Sequence, residues 1–174
     1  MNNIDVTLRM VRTTDATALL QLIKQLQQET LFVTFDNGLA LDEANEAMEI
    51  AAVNASPNNA MFVAALDQQL IGFVRVSAAS DPHLQHIGEL GIAILKDYWH
   101  YGLGHLLMTT ALDWVQHTPM LRRLELTVQQ RNARAVALYH DFGFTDEAVM
   151  PRGYYDDQAG FIPVILMAKM IDHH

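Results

Sequence analysis

The chain has no cysteine among its 174 residues. It therefore holds no disulfide framework, no zinc site with cysteine ligands and no thiol nucleophile. Residues 1–10 lack the charged start and apolar run of a secretory signal, and no stretch reaches the ~18 uninterrupted apolar residues of a membrane-spanning helix. We therefore expect a cytoplasmic protein without a membrane partner.

Basic residues are also scarce. Lys and Arg number 11 against 20 Asp and Glu, which gives a formal net charge of −9. An acidic surface repels phosphate backbones, so a nucleic-acid partner is not expected. The same surface would attract a cationic amine, although an acidic balance is also an ordinary feature of soluble proteins.

The eight histidines are scattered along the chain. The pairs His83 with His86 and His100 with His105 have no third ligand at a convincing distance. We therefore expect solvated or singly hydrogen-bonded imidazoles rather than a metal site.

The length predicts one domain spanning residues 1–174. Hydrophobic residues at 51% and charged residues at 18% indicate a compact globule. The expected order is β-α-α-β-β-β-α-β-α-β-β, an α/β fold with a mixed, mostly antiparallel twisted sheet of about seven strands and flanking helices. Strands are predicted at 6–12, 60–66, 70–78, 87–95, 121–130, 144–150 and 161–170, and helices around 19–26, 39–53, 102–117 and 132–142. A loop rich in Gly, Tyr and Asp is expected between the last two strands.

A glycine-bearing turn between strand 87–95 and helix 102–117 is the most informative local feature. The start of a helix presents unpaired N–H groups and the positive end of its dipole, and therefore binds phosphate. Gly102 and Gly104 would let the backbone approach a pyrophosphate closely, although glycines at a helix start also occur for packing alone. A dinucleotide-binding motif would need a third glycine at position 107, which is Leu107, so that interpretation is disfavoured.

Two segments resemble the GNAT superfamily of acetyltransferases. Residues 99–104 (Trp-His-Tyr-Gly-Leu-Gly) are similar to its acyl-CoA motif Arg/Gln-x-x-Gly-x-Gly/Ala, with Trp99 in place of Arg/Gln. Residues 132–144 are similar to its second motif, Asn-x-x-Ala-x-x-Leu-Tyr-x-x-x-Gly-Phe. The two lie ~30 residues apart in the expected order after strands, and the resemblance extends to Leu8, Arg9 and Asp15.

The resemblance implies a GNAT fold and an acyl-CoA-dependent N-acyltransferase. The expected reaction moves an acetyl group from acetyl-CoA to a primary amine, either a small amine or a peptide or protein N-terminus, by direct attack in a ternary complex and without a metal. It also implies that the central strand splays from its neighbour. The residues expected to bind acetyl-CoA are Ile92, Ile94 and Leu95 for the pantetheine arm and His100, Tyr101, Gly102, Leu103, Gly104 and His105 for the pyrophosphate.

The resemblance places the hydroxyl of Tyr139 beside the CoA sulfur, where a neutral phenol can donate a proton or a hydrogen bond. Asn132 caps its helix, contacts the CoA arm, or both. Glu89 is the candidate general base, because it is the one carboxylate inside strand 87–95 and burial there would favour proton uptake. A solvent-exposed Glu at a strand end is an equally good interpretation, and a water molecule could serve as the base instead.

Four residues of the last loop, Tyr154, Tyr155, Asp156 and Asp157, could line an amine site, although a solvated acidic turn is the more ordinary interpretation. Two alternatives to the enzyme remain open: an acyl-CoA-binding module of the same fold without catalysis, and an unrelated nucleotide-binding enzyme. An unpaired terminal strand would also suit a homodimer.

Overall fold

The computed structural model describes residues 5–29 and 42–173. The elements in chain order are β1 (Thr7–Met10), α1 (Ala16–Glu29), α2 (Glu43–Ala55), β2 (Ala60–Leu66), β3 (Gln69–Ala78), β4 (Ile87–Ile94), α3 (Leu103–Gln116), β5 (Arg123–Gln129), α4 (Ala133–Asp141), β6 (Thr145–Asp156) and β7 (Gly160–Met170). This is the predicted order, with strand 60–66 matching to the residue. Residues 39–41 of the second predicted helix lie outside the described residues.

The strands form one seven-stranded sheet in the order β1-β2-β3-β4-β5-β7-β6. Every neighbouring pair is antiparallel except β4 and β5, which are parallel. The predicted mixed, mostly antiparallel sheet is therefore confirmed. The parallel pair lies at the centre, and α3 forms the crossover between its two strands.

Helices cover both faces of the sheet. In α1 the buried residues Leu19, Leu22, Ile23 and Leu26 recur at helical spacing, and this stripe packs towards the sheet. Helix α3 contacts β2, β3 and β4 from the other face through its own apolar stripe. Side chains alternate along each strand, so Arg75 of β3 faces α2 while its neighbour Val76 faces the side of α3.

The N-terminal motif residues have a structural role. Arg9 of β1 donates two hydrogen bonds to the Asp15 carboxylate, Nη1 to Oδ2 at 2.7 Å and Nη2 to Oδ1 at 2.8 Å. The backbone N–H of Arg12 also donates to Asp15 Oδ2, at 2.7 Å. The hydrogen bonds from Arg9 are the main reason why the pKa of Asp15 is lowered. This bidentate pair joins the first strand to the start of α1.

The prediction of a loop between the last two strands, over residues 151–160, is wrong for most of these residues. Strand β6 continues to Asp156, and its pairing with β7 shifts register between Met150 and Tyr154. Pro151 cannot donate a ladder hydrogen bond and Arg152 has a positive φ of 56°, so both fit a bulge rather than a chain reversal. Gly153 passes so close to β7 that an added Cβ would lie 2.6 Å from Cβ of Val164.

Candidate active site

The central parallel strands separate part-way along their length. Their pairing covers only Ile87 to Glu89 against Arg123 to Glu125, yet β4 continues to Ile94 and β5 to Gln129. Beyond Glu89 the two strands therefore diverge, as expected from the resemblance. The gap opens towards the start of α3.

The direction of the backbone groups decides which residues of β4 face this gap. The N–H of Leu95 donates to the carbonyl of Ile71 at 2.9 Å, so Leu95 points towards β3. Backbone N–H and C=O groups alternate sides along an antiparallel strand. Those of Ile92 and Ile94 therefore point the other way, towards β5. Among the described residues, the backbone of Ile92 and the N–H of Ile94 have no partner. An extended ligand lying in the gap could pair with them as an added strand would.

Leu95 does not offer such groups. Its N–H is bonded to Ile71, and its carbonyl accepts the N–H of Tyr98 at 2.9 Å. The side chain is also buried. The expectation that Leu95 contributes backbone groups to a ligand is thus not supported, because both are already used inside the protein.

Trp99, the residue that departs from the family motif, stabilises the turn after β4 through two contacts of its side chain. Its indole Nε1 donates to the carbonyl of Ile94 at 2.8 Å. The guanidinium carbon of Arg134, on the first turn of α4, lies 4.6 Å from the centre of the same ring. The replacement of Arg/Gln by Trp therefore does not leave the turn without a cation, because Trp99 positions Arg134 beside it.

The turn itself ends in an exposed helix start. Gly102 has φ of 79°, a left-handed conformation that favours glycine, and His100 also has a positive φ of 67°. The hydrogen bond from the Leu106 N–H to the Gly102 carbonyl, at 3.2 Å, is the first of α3. The N–H groups of the three preceding residues, Leu103, Gly104 and His105, therefore have no helical acceptor and are available to an anion.

Gly104 lies where α3 approaches α4. A Cβ built on Gly104 would be 3.3 Å from Cδ2 of Leu138 and 3.8 Å from Cδ1 of Ile94. His105, next in the chain, lies on the solvent side, with its Nε2 3.6 Å from Asp141 Oδ2 and its ring 5.5 Å from that of Phe142. The turn is thus held against α4, and position 104 has little room for a side chain.

Tyr139 is buried in α4, with 7% of its surface exposed. Its ring lies edge-on to Phe144, with 6.0 Å between the ring centres. Burial raises the pKa of Tyr139 to about 12. Within residues 5–29 and 42–173, no group is hydrogen-bonded to its hydroxyl, and burial alone accounts for the raised pKa. The phenol is therefore a neutral hydrogen-bond donor that the described part of the protein does not use.

Asn132 is the N-cap of α4, and its Oδ1 accepts the N–H of Ala135 at 3.2 Å. The capping prediction is confirmed. A contact between Asn132 and CoA stays a prediction.

Glu89 is exposed, so the burial considered for it from the sequence is absent. It lies in β4 opposite Ser77 of β3 and Glu125 of β5, at the last paired position before the strands diverge. The strand is apolar because its other face packs under α3, while Glu89 is on the open face. Its position beside the gap still suits a base that acts on a ligand there.

Asp156 is not in a solvated turn. It is buried, with 4% exposed, and accepts a hydrogen bond from Arg131 Nη2 at 2.8 Å. Two further hydrogen bonds, both 2.8 Å, come from the N–H groups of Gln158 and Ala159. Arg131 and then these N–H groups lower the pKa of Asp156 to about 2. The Asp156 carboxylate is therefore already hydrogen-bonded within the protein. Tyr154, Tyr155 and Asp157 take no part in these hydrogen bonds.

The sequence did not suggest a role for Arg131 or Arg134, nor the contact between Trp99 and Arg134. Each depends on a partner far away in the chain, and no local pattern links such residues. The positively charged third position of the Asn-x-Arg segment was the one available signal for Arg134. No helix in the described part of the chain is both long and apolar enough to cross a bilayer.

The profile of the acetyltransferase (GNAT) family matches residues 18–144. A GNAT-family acetyltransferase from Streptococcus pneumoniae has a solved structure that is 36% identical, with a TM-score of 0.92 over 96% of this chain and 100% of that one. A second structure, a putative acetyltransferase from Salmonella typhimurium with its cofactor acetyl-CoA, is 18% identical with a TM-score of 0.83 over 98% of this chain and 96% of that one.

Two curated relatives carry named activities. An L-amino acid N-acetyltransferase of Escherichia coli K12 is 23% identical over 82% of this chain and 85% of its own length. A [ribosomal protein bS18]-alanine N-acetyltransferase of Salmonella typhimurium is 38% identical over 80 residues, which are 46% of this chain and 53% of that protein.

Proposed function

Because this chain belongs to the GNAT family of acyl-CoA-dependent N-acyltransferases, we propose that it moves an acetyl group from acetyl-CoA to a primary amine within a ternary complex. The observation that carries the proposal is the gap between β4 and β5, where Ile92 and Ile94 keep unpaired backbone groups beside the start of α3. A pantetheine arm has amide groups that can pair with them. Solved neighbours of the same fold include a complex with acetyl-CoA.

The donor would lie with its pyrophosphate on the N–H groups of Leu103, Gly104 and His105. These groups, the helix dipole and the nearby Arg134 cation all favour a negative charge. Exposed His100 and Tyr101 flank the same turn. The pantetheine arm would then run along the open edge of β4 towards Glu89.

In the chemical step the amine nitrogen attacks the thioester carbonyl carbon, a C–N bond forms, and the C–S bond breaks to release CoA thiolate. An unpaired N–H of β4 would stabilise the oxyanion. Tyr139 would donate a hydrogen bond to the departing sulfur. With a pKa raised to about 12, its phenol is a hydrogen-bond donor rather than a strong acid, and the proton lost by the amine is available to the thiolate.

The amine must be neutral to attack, and a primary amine with a pKa of ~10 is mostly protonated at pH 7. Glu89 stands at the mouth of the gap and would remove that proton directly or through a water molecule. The acceptor is either a small amine or a peptide or protein N-terminus. The two curated relatives are named for acceptors of these two kinds.

A coupled assay tests the proposal. The protein is mixed with acetyl-CoA and a panel of polyamines, amino acids, aminoglycosides and N-terminal peptides, and free thiol is measured with time. We expect thiol release that depends on both the amine and the protein, and calorimetric binding of CoA but not of NAD or ATP. Binding of CoA without release for any amine would favour the non-catalytic module instead. No binding of CoA or acetyl-CoA at millimolar concentration would refute the proposal.

The single domain over residues 1–174, the cytosolic location and the homodimer stay predictions. The donor site proposed above lies within one chain and does not require a second copy.

A further inference from the structure

Arg75 has a buried nitrogen with no partner. Its Nε is the one side-chain nitrogen or oxygen in the described residues that is fully buried without a hydrogen bond. None of its nitrogens makes an ion pair or hydrogen bond there, yet the side chain is only half-buried, so its far end reaches solvent. A buried N–H of a guanidinium group is costly to leave unpaired. An unpaired guanidinium N–H of this kind therefore calls for an explanation.

The surroundings of Arg75 do not supply an anion at bonding distance. The side chain borders a cavity of about 20 Å³, together with Glu46, Glu49 and Ile50 of α2 and Met61 of β2. The charge of Arg75 acts electrostatically on the pKa of Glu46, but the two groups lie beyond ion-pair distance. Burial, followed by the nearby Glu49, raises the pKa of Glu46 despite the opposing effect of Arg75. Glu46 therefore does not satisfy the guanidinium group.

Arg75 lies next to the reaction centre proposed above. It is directly opposite Gly91 of β4, which in a hydrogen-bonded antiparallel pair puts their Cα atoms ~5.5 Å apart. Gly91 adjoins Ile92, whose backbone faces the gap, and a Cβ built on Gly91 would meet no atom of the described residues within 4 Å. The described part of the chain therefore leaves room for a ligand over Gly91, next to Arg75 in the sheet.

An unpaired carboxylate lies on the same open face. Glu89 is two residues before Gly91 on β4, so its side chain is on the same side of the sheet as Arg75 and diagonal to it. Glu89 makes no ion pair with any described residue, whereas Glu125 beside it is paired with Arg123 at 3.0 Å. Among the described residues, Arg75 and Glu89 therefore lie on one face of the sheet near Gly91, and neither of them makes an ion pair.

We infer that the acceptor carries a carboxylate a few bonds from its amine, as an α-amino acid does, and that Arg75 binds this carboxylate while the amine lies between Glu89 and the thioester. This assignment rests on the proposed function and narrows its acceptor to a zwitterionic amine. The planar guanidinium group of arginine bonds a carboxylate through two nitrogens. A peptide N-terminus or a polyamine has no carboxylate near its amine and cannot form this pair. Arg75 is thus a specificity-determining residue.

The experiment compares matched acceptors. Thiol release from acetyl-CoA is measured for each of the twenty L-amino acids and for its C-terminal amide, with spermidine and an Ala-initiated peptide as acceptors without a nearby carboxylate. We expect at least one amino acid to exceed its amide in kcat/KM by tenfold or more. An equal or better amide throughout, or turnover confined to spermidine or the peptide, would overturn the assignment while leaving acetyl transfer intact.

Variants then assign the preference to a residue. Arg75→Gln should lower kcat/KM for the preferred amino acid at least tenfold and change the rate with its amide less than threefold. Arg75→Lys should recover part of the preference, because it restores the charge without the planar guanidinium group. The matched control is Arg122→Gln, since Arg122 is exposed and lies just before β5. An equal loss for acid and amide would mean that Arg75 only supports the fold.

A binding measurement keeps the assignment testable if a variant does not fold or turnover is not found. In protein labelled with ¹⁵N-arginine, the buried Nε–H of Arg75 should give a slowly exchanging signal that is absent in Arg75→Lys. Millimolar L-amino acids should shift this signal, and their amides should not. Absence of a shift with all twenty amino acids refutes the carboxylate site, whereas failure of the proposed function itself appears separately as failure to bind CoA.

Discussion

Replacing Tyr139 with phenylalanine removes one hydroxyl group and leaves the buried ring against Phe144. If the hydroxyl donates to the departing thiolate, the variant loses a hydrogen bond to a charged group, worth about 1.5–3 kcal/mol. That corresponds to a fall in kcat of about 10- to 150-fold. The Kd for CoA should stay within about threefold, because the interaction strengthens only as the C–S bond breaks.

The same substitution should hardly affect folding near neutral pH. No described residue bonds to the hydroxyl, so the free energy of unfolding should change by less than about 1 kcal/mol. At high pH the two proteins should differ. The Tyr139 pKa is raised to about 12 in the folded state, against ~10 in the unfolded chain. Below pH ~10 the phenol is neutral in both states, and between pH ~10 and ~12 only the unfolded chain loses its proton, which destabilises wild type by up to ~2.7 kcal/mol.

Two measurements check this reasoning. Steady-state kinetics from pH 6 to pH 10 should show a constant ratio of wild-type to Tyr139→Phe kcat, because the phenol stays protonated throughout. Chemical denaturation from pH 9 to pH 12 should show wild type losing stability faster than the variant. Full activity in the variant, or a wild-type kcat that falls with an apparent pKa near 7 that the variant lacks, would refute the hydrogen-bond role.

Substitutions at three further positions probe the rest of the site. At Gly104, Ala should weaken CoA binding slightly and Val or Phe should abolish it, because an added Cβ already lies 3.3 Å from Leu138 Cδ2. Trp99→Phe loses the hydrogen bond to the Ile94 carbonyl, and the Kd for CoA should rise about 2- to 12-fold. Asp156→Asn should lower the Tm at pH 7; this difference should shrink as pH falls from ~4 towards about 2, where the carboxylate with its lowered pKa takes up a proton.

Each of these has a matched control. Ala44→Val adds apolar bulk on an exposed part of α2, Trp114→Phe replaces the other tryptophan of the chain, and Asp157→Asn removes the neighbouring, exposed charge. Calorimetry with CoA and thermal denaturation are the readouts. Normal CoA binding by Gly104→Phe would contradict the pyrophosphate site. Unchanged CoA affinity in Trp99→Phe would contradict its stabilising role, and a pH-independent Tm difference for Asp156→Asn would contradict the charged pair.

Local sequence patterns predicted the fold well because they report local physics. Alternation and helical spacing gave the order of the elements, and the glycines of the turn marked the start of α3. Where a pattern had two physical causes, the prediction could fail. Pro151 and Gly153 were interpreted as parts of a loop, but they form a bulge within β6 because Gly153 fits closely against Val164 of the neighbouring strand.

The features of the candidate site also fall into two groups, those that the local sequence predicted and those that only the tertiary structure showed. The sequence alone determined the family resemblance, the glycine turn and the cap formed by Asn132, because each depends on residues a few positions apart. It also singled out Tyr139 as the candidate hydrogen-bond donor, a role that stays a prediction. Only the tertiary structure decided that Glu89 is exposed, that Trp99 holds Arg134, that Asp156 is occupied by Arg131 and that Arg75 has no partner. Those properties depend on which distant segments the sheet brings within hydrogen-bond reach, and no short stretch of sequence encodes such distances.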